Sequence, residues 1–230
     1  MKEWLERLSI DPPSWRQVLS ACFGKMITVQ MACADRVVKN EDWHVDLEKG
    51  VILFADREYH IQFIGSESID SGTWRWGWEN INQFPAAILQ LAERTRALGK
   101  EWHLKTLTTA EFQLDDDLTG HNLSIVTCGL AQGYCYYRCP HEGGAFFVAV
   151  SGVPEEVFVP VDMPHFISVV TQSIGQCELD HRVFVEAFLL WNRTPYDWDG
   201  TTLIAHFTQD LGIAFESVGS SLRIASITSL

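Results

Sequence analysis

The hydrophobic pattern is most distinctive over residues 65–80, where a polar turn precedes three regularly spaced tryptophans. The turn is polar or glycine except for Ile69. Trp74, Trp76 and Trp78 then occupy every second position, so a strand would place all three indoles on one face. Each indole buries roughly 150–250 Å² when it is covered. This face therefore needs either a helix of the chain or a ligand to cover it.

A long amphipathic helix is predicted upstream of the tryptophans. Ser14 and Gln17 have the spacing of a capping box. Apolar residues then recur at helical spacing to about residue 39. We expect this helix to cover the indoles through one or more of Leu19, Phe23 and Met26.

Alternating apolar and polar residues predict two groups of antiparallel strands. The first group is a four-stranded meander that ends in the tryptophan strand, followed by a separate hairpin. Its strands are expected over 43–47, 51–54, 59–65, 73–79, 134–139 and 145–150. The second group is a meander expected over 196–198, 203–207, 213–215 and 222–227.

Further helices are predicted from terminal signals over about 85–98, 116–131, 164–174 and 183–191. Gly99 is the expected stop of the first of these, and the acidic run 115–117 is expected to cap the second. Short extended pieces are expected at 102–106 and 157–159.

These elements predict an α+β fold in which antiparallel β-meanders pack against helices. The order of helix and then meander occurs twice, which suggests two similar halves. Glycine and prolines over 151–161 indicate a boundary. We expect residues 1–153 to form a helix-plus-sheet domain with the tryptophan strand, and residues 154–230 to form a helix pair plus meander packed on it.

The pattern G-S-x-S-x-x-S-G-T-W-x-W-x-W-x-N over residues 65–80 resembles the signature of an uncharacterised bacterial family of unknown function. The resemblance extends over most of the chain through the flanking hairpins, the helix at Pro85, the hairpin 136–150 and the helix start at Asp180. The resemblance implies a bacterial, soluble protein and assigns no catalytic residue.

Charge narrows the class of partner. The chain has 230 residues, of which 17 are Lys or Arg and 30 are Asp or Glu, giving a net charge of −13. This balance disfavours nucleic-acid binding. It suits a basic protein partner, although acidic totals also serve solubility. If a basic partner binds, carboxylates should cluster on one side, with candidates at 41–42, 115–117 and 155–156.

Localisation and redox state follow from what the sequence lacks. It contains no signal peptide and no apolar run of membrane-spanning length, so we expect a cytoplasmic protein that does not bind membranes. The six cysteines show no framework spacing. We therefore expect six thiols and no disulfide, and the sequence leaves the oligomeric state open.

Candidate chemistry is sparse. Cys135, Cys139 and His141 come nearest to a metal set, but structural zinc requires a fourth ligand. No P-loop, Rossmann, nucleophile-elbow or zinc-protease motif occurs. We therefore expect no metal, no cofactor and no catalytic residue.

Two functions remain open. The first is a non-catalytic binding or interaction protein, of the immunity type or an accessory factor. The second is a small-molecule-binding or hydrolytic domain with a pocket walled by tryptophans. A filled core with a flat acidic patch would favour the first, and a cavity with converging polar groups the second. The candidate ligand-binding residues are Trp74, Trp76, Trp78, Glu67 and Arg75, with Asp70 and His141 as further polar groups.

Overall fold

The computed structural model describes residues 3–8, 10–219 and 221–230. The fold is α+β, as predicted. The helices are α1 (Glu3–Leu8), α2 (Trp15–Cys33), α3 (Gln90–Glu101), α4 (Lys105–Thr108), α5 (Gly120–Gly129), α6 (Met163–Gln176) and α7 (His181–Asn192). The strands are β1 (Trp43–Asp46), β2 (Val51–Phe54), β3 (Arg57–Ser68), β4 (Thr73–Trp76), β5 (Glu111–Gln113), β6 (Cys135–His141), β7 (Gly144–Ser151), β8 (Tyr196–Asp199), β9 (Thr202–His206), β10 (Asp210–Val218) and β11 (Ser221–Ser229).

The chain divides into two compact units, residues 29–158 and residues 1–28 with 159–230. The division at residue 28 falls inside α2. The domain boundaries expected from the sequence, 1–153 and 154–230, stay a prediction.

The capping box at the start of α2 is confirmed. The Gln17 N–H donates to Ser14 Oγ at 3.3 Å, and the Ser14 N–H donates to Gln17 Oε1 at 2.9 Å. The helix passes into a π-helical turn at Ala34–Val38 and ends at Lys39, whose φ of 52° is left-handed. The predicted end near residue 39 is therefore confirmed.

The unit 29–158 is built on an antiparallel sheet in the order β1-β2-β3-β4-β5, with β7 paired to β3 and β6 paired to β7. Strand β3 is long enough for β2 and β4 to pair with different halves of it. This arrangement confirms the predicted meander and the predicted hairpin over 134–150. The short strand β5 was not predicted, because three residues are too few to show an alternating pattern.

A side chain from the end of α2 caps the edge of this sheet at β6. Gln30 Nε2 donates to the Tyr136 carbonyl at 2.9 Å, and the Tyr136 N–H donates to Gln30 Oε1 at 2.8 Å. The amide thus takes the place of a neighbouring strand at one residue. Such capping protects an otherwise unpaired strand edge.

The other unit carries the second antiparallel sheet, in the order β11-β10-β9-β8. This order confirms the predicted meander. Asp162 and Asp180 cap α6 and α7, because their Oδ1 atoms accept the N–H groups of His165 and Val183, both at 3.1 Å. The ring of Phe166 stacks on Phe188 at a centroid distance of 4.6 Å and anchors the apolar core.

Several local predictions are wrong because longer-range packing decides the conformation. Gly99 does not stop α3 but lies within it, where a Cβ atom would approach Leu107 of α4 to 2.5 Å. The expected extended piece at 102–106 instead leads into α4. The expected strand at 157–159 is a 3-10 turn, Glu155–Phe158.

The acidic run does not cap a helix. Helix α5 begins later than expected, and its N-cap is Thr119, whose hydroxyl accepts the Asn122 N–H at 3.1 Å. Asp115 Oδ1 instead accepts the N–H groups of Asp117 and Leu118, at 2.9 and 2.7 Å. The carboxylate therefore stabilises the loop before the helix.

Candidate functional site

The tryptophan segment follows the predicted strand only as far as Trp76. Residues Gly77–Glu79 form a 3-10 turn, which Asn80 closes in a left-handed conformation with φ 47°. The prediction that Trp78 shares a strand face with the other two indoles is therefore wrong. Gly77 explains the change, because a Cβ atom there would lie 2.7 Å from the ring of Phe63. Close packing of the turn on β3 thus ends β4.

Trp74 and Trp76 lie in the core of the unit 29–158. They are 0% and 1% exposed, and their rings meet edge to face at 5.5 Å and 85°. Trp74 also contacts Phe147 at 5.5 Å and covers Gly65, which has no room for a side chain beneath the indole. The predicted burial of both indoles is confirmed. Their predicted cover by Leu19, Phe23 or Met26 stays a prediction.

The three indole N–H groups differ in their partners. The Trp76 N–H donates to the Thr106 carbonyl, just inside α4, at 2.9 Å. The Nε1 atoms of Trp74 and Trp78 are buried, and the described residues offer them no acceptor. Trp78 is 6% exposed, and the guanidinium of Arg96 lies 3.9 Å from its ring centroid. This cation–π contact attaches the 3-10 turn to α3.

An open cavity of about 500 Å³ lies beside Trp78. Its wall combines the indole with apolar groups, two amides, one carboxylate and one guanidinium. The lining residues are Trp78, Asn80, Ala86, Leu89, Gln90, Glu93 and Arg94. A site of this composition can hold an apolar group against the indole while its rim binds polar or charged groups.

The loop 80–87 borders this cavity and is internally braced. Asn80 Oδ1 accepts the Phe84 N–H at 2.8 Å, and its Nδ2 donates to the Phe84 carbonyl at 3.1 Å. Gln62 on β3 holds the far end of the loop, because its Nε2 donates to the Ala87 carbonyl at 2.9 Å. Ile81 is 56% exposed on this braced loop. The loop therefore presents an apolar side chain in a fixed backbone setting.

Glu67 and Arg75, the charged candidates, lie on opposite faces of the sheet. Glu67 pairs in register with Trp74, whereas Arg75 pairs with Ser66, and directly paired residues share a face. Arg138 Nη2 lies 2.7 Å from Glu67 Oε1, while Arg75 forms an ion pair with Glu111. Both candidates already have structural partners, and the structure does not bring them together.

Asp70 and His141 lie near the turn between β6 and β7. The ring of His141 stacks on Phe146 at 6.1 Å and 24°. The Asp70 carboxylate lies beside Gly143. Neither residue lines the cavity at Trp78.

His121, which no sequence motif singles out, lies close to Glu67 and Arg138. Its Nδ1 is 3.1 Å from the Tyr136 hydroxyl, and its ring meets Phe147 edge-on at 5.4 Å. Burial away from water lowers the pKa of His121. The charge of Glu67 acts to raise this pKa, and the charge of Arg138 acts to lower it. These residues lie on α5, β3, β6 and β7, so no sequence spacing could reveal the cluster.

Cys135, Cys139 and His141, the nearest candidates for a metal set, do not form one in the part of the chain that the structure describes, where no group of three or more His, Cys, Asp or Glu residues could hold an ion. Cys135 instead contacts Cys33. Over the same described ranges, every helix is too short or too polar to cross a bilayer.

A family model matches this chain. Neither a curated protein nor a solved structure matches the chain. The model of a family of unknown function, DUF6882, matches residues 16–153, which is more than half of the chain and includes the tryptophan segment and the cavity at Trp78. The expected membership of a family of unknown function is thus confirmed, and the chain belongs to the DUF6882 family.

Proposed function

We propose that this DUF6882 chain is a non-catalytic binding protein whose recognition surface consists of the loop 80–87 and the cavity beside Trp78. The observation that carries the proposal is an exposed apolar residue, Ile81, on a loop that Asn80 and Gln62 hold in place. A surface that is ordered before binding loses less conformational entropy on association. An adjacent cavity of about 500 Å³ offers room for a side chain of the partner.

A protein is the partner that this surface suits best. The cavity is open, and Gln90, Glu93 and Arg94 on its rim are exposed. Trp74 and Trp76 are in the core and leave Trp78 as the indole beside the cavity. A small ligand would normally have most of its surface buried, whereas an open rim suits a side chain delivered by a larger partner.

The proposed partner is a basic protein. The net charge of −13, the exposed carboxylate of Glu93 on the cavity wall, and the exposed Glu79 next to Trp78 in the chain support this choice. Complementary charge speeds association and selects among partners. In this proposal the chain is a bacterial, cytoplasmic protein of the immunity type or an accessory factor.

A second candidate function is small-molecule binding, with or without hydrolysis. The cavity volume of about 500 Å³ favours it, because small-molecule sites are commonly about 300–1,000 Å³. Trp78 would form the wall, and the amide of Asn80 would orient the ligand. The site would then be supported from the sheet by Trp74, Trp76, Glu67 and Arg75.

Photo-crosslinking in cells tests the proposal. A photoreactive residue is placed at Ile81 or at Ile69, a matched control that is 68% exposed on a different turn. We expect position 81, and not position 69, to crosslink to a basic protein, and we expect Glu93→Gln to reduce the yield. Binding of the purified partner should weaken as salt rises, because exposed charges are screened over about 8 Å at physiological ionic strength.

Two outcomes would contradict the proposal. Equal crosslinking at both positions would contradict the role of the loop in recognition. Binding that does not change with salt would contradict the role of charge. A small metabolite that quenches Trp78 fluorescence, with no protein crosslinked at position 81, would favour the second candidate.

A further inference from the structure

Two cysteines that are far apart in the sequence lie in contact within the unit 29–158. Cys33 at the end of α2 and Cys135 at the start of β6 are separated by 102 positions, yet their sulfur atoms are 2.9 Å apart. Their side chains are 3% and 0% exposed. Both are thiols in the structure, as are the other four cysteines, all of which lie in the described ranges. We propose that Cys33 and Cys135 form a reversible disulfide, so that this contact is a site of redox modification.

Neighbouring hydrogen bonds hold the two sulfurs together. Gln30 lies one helical turn before Cys33, and its amide forms two hydrogen bonds with the backbone of Tyr136, the residue after Cys135. Cys135 is also fixed in the sheet by its pairing with Val150. A disulfide requires close approach of both ends of the linkage, and these contacts supply that approach in the reduced protein.

Cys33 is the thiol that an oxidant reaches first. It is the last residue of α2 and directly precedes the π-helical turn Ala34–Val38. A π-helical turn is a local irregularity in a helix, so opening at this end exposes Cys33 while the sheet still protects Cys135. The contact with Cys33, followed by burial, raises the pKa of the Cys135 thiol, which makes Cys135 the poorer initial nucleophile.

The oxidant is a low-molecular-weight disulfide such as glutathione disulfide. The Cys33 thiol loses its proton, and its sulfur attacks the oxidant to form a mixed disulfide and release one glutathione thiolate. The Cys135 thiol then loses its proton and its sulfur attacks that of Cys33, which forms the internal bond and releases the second glutathione. The two protons end on the two glutathione thiols, and the two electrons pass from the cysteine pair to the oxidant.

The bond would stabilise the folded unit. It would close a loop of about 100 residues and so reduce the conformational entropy of the unfolded chain. We expect the melting temperature of the unit 29–158 to rise by roughly 5–15 °C on oxidation. Reducing compartments keep such pairs as thiols, so the bond would form when the glutathione pool becomes oxidised.

The test uses the full chain in buffers of reduced and oxidised glutathione. Thiols are blocked after unfolding, and the disulfide-linked peptides are identified by mass spectrometry without reduction. Cys33→Ser removes the pair, whereas Cys139→Ser is a matched control because Cys139 is also fully buried on β6. We expect the Cys33–Cys135 linkage, and the rise in melting temperature, in wild type and Cys139→Ser but not in Cys33→Ser.

The peptide map of the wild type is decisive even if Cys33→Ser fails to fold. Full blocking of both Cys33 and Cys135 after incubation in oxidised glutathione would overturn the proposal. A distribution of linkages over many cysteine pairs would also overturn it, because that pattern indicates oxidation of unfolded chains.

Discussion

The indole N–H of Trp76 gives a test of the core that needs no knowledge of a partner. Trp76 donates to the Thr106 carbonyl at 2.9 Å, whereas Trp74 Nε1 has no acceptor among the described residues. Both side chains are almost fully buried, and they lie on the same face of β4. Phenylalanine at either position therefore removes a similar volume, but only Trp76→Phe breaks a hydrogen bond.

The expected difference follows from that hydrogen bond. A buried group left without its partner costs about 1–3 kcal/mol, and we expect Trp76→Phe to lower the free energy of unfolding by about 1–2 kcal/mol more than Trp74→Phe. Trp76→Ala should lower it by about 3–5 kcal/mol, the usual cost of truncating a large core aromatic. The alanine variant also loses the edge-to-face contact with Trp74 at 5.5 Å.

The assay has to report on the unit 29–158 alone, because two compact units make a single unfolding midpoint ambiguous. Hydrogen exchange followed by mass spectrometry of β3 and β7 peptides gives the opening free energy of this sheet. An equal or smaller loss for Trp76→Phe than for Trp74→Phe would refute the hydrogen-bond argument. A loss below about 1 kcal/mol for Trp76→Ala would refute the core assignment and favour a ligand wall.

Two further predictions concern the other unit and the domain boundaries. Burial and the nearby Arg223 lower the pKa of His181, whose Nδ1 accepts the Ile224 N–H at 3.1 Å. The folded state therefore favours the neutral imidazole. The stability that this preference contributes is full above about pH 6.5, the pKa in the unfolded chain, and is lost as pH falls through the lower folded-state pKa. Urea midpoints should fall from pH 7.5 to pH 5.5, with a smaller fall in His181→Asn, and an unchanged fall in that variant would contradict the assignment. The fragment 1–153 should unfold cooperatively because it contains all of the unit 29–158 except residues 154–158, whereas the fragment 154–230 should need residues 1–28 added. Circular dichroism of the separate and mixed fragments checks both expectations.

Local signals explain which parts of the fold could be predicted. The capping box at Ser14 and the N-cap at Asp180 depend on a side chain that accepts the backbone N–H three residues on, and both form as expected. The hairpin of β6 and β7 is likewise predictable, because two short apolar segments flank the turn-forming run 140–144. The division inside α2 could not be predicted, since the helical periodicity continues across residue 28.

Long-range contacts explain most of what sequence reasoning missed. The contact of Cys33 with Cys135 and the cluster of His121 with Glu67 depend on strand order and helix placement rather than on spacing. Glu67 and Arg75 lie on the neighbouring strands β3 and β4, and the register of these strands places the two residues on opposite faces of the sheet. Residue type alone identified both as polar candidates and could not show that each already has an ion-pair partner.

Trp78 leaves the strand that the sequence predicts, and this departure from the prediction lies at the candidate site. Had β4 continued, the third indole would have joined Trp74 and Trp76 in the same row of the core. Because Gly77 packs against Phe63, the chain turns there and places Trp78 against Arg96 of α3. The same turn leads into Asn80, whose side chain braces the loop that carries Ile81. Local rules of sequence commonly fail where a structure serves a function, and here the failure lies at the cavity that we propose as the recognition surface.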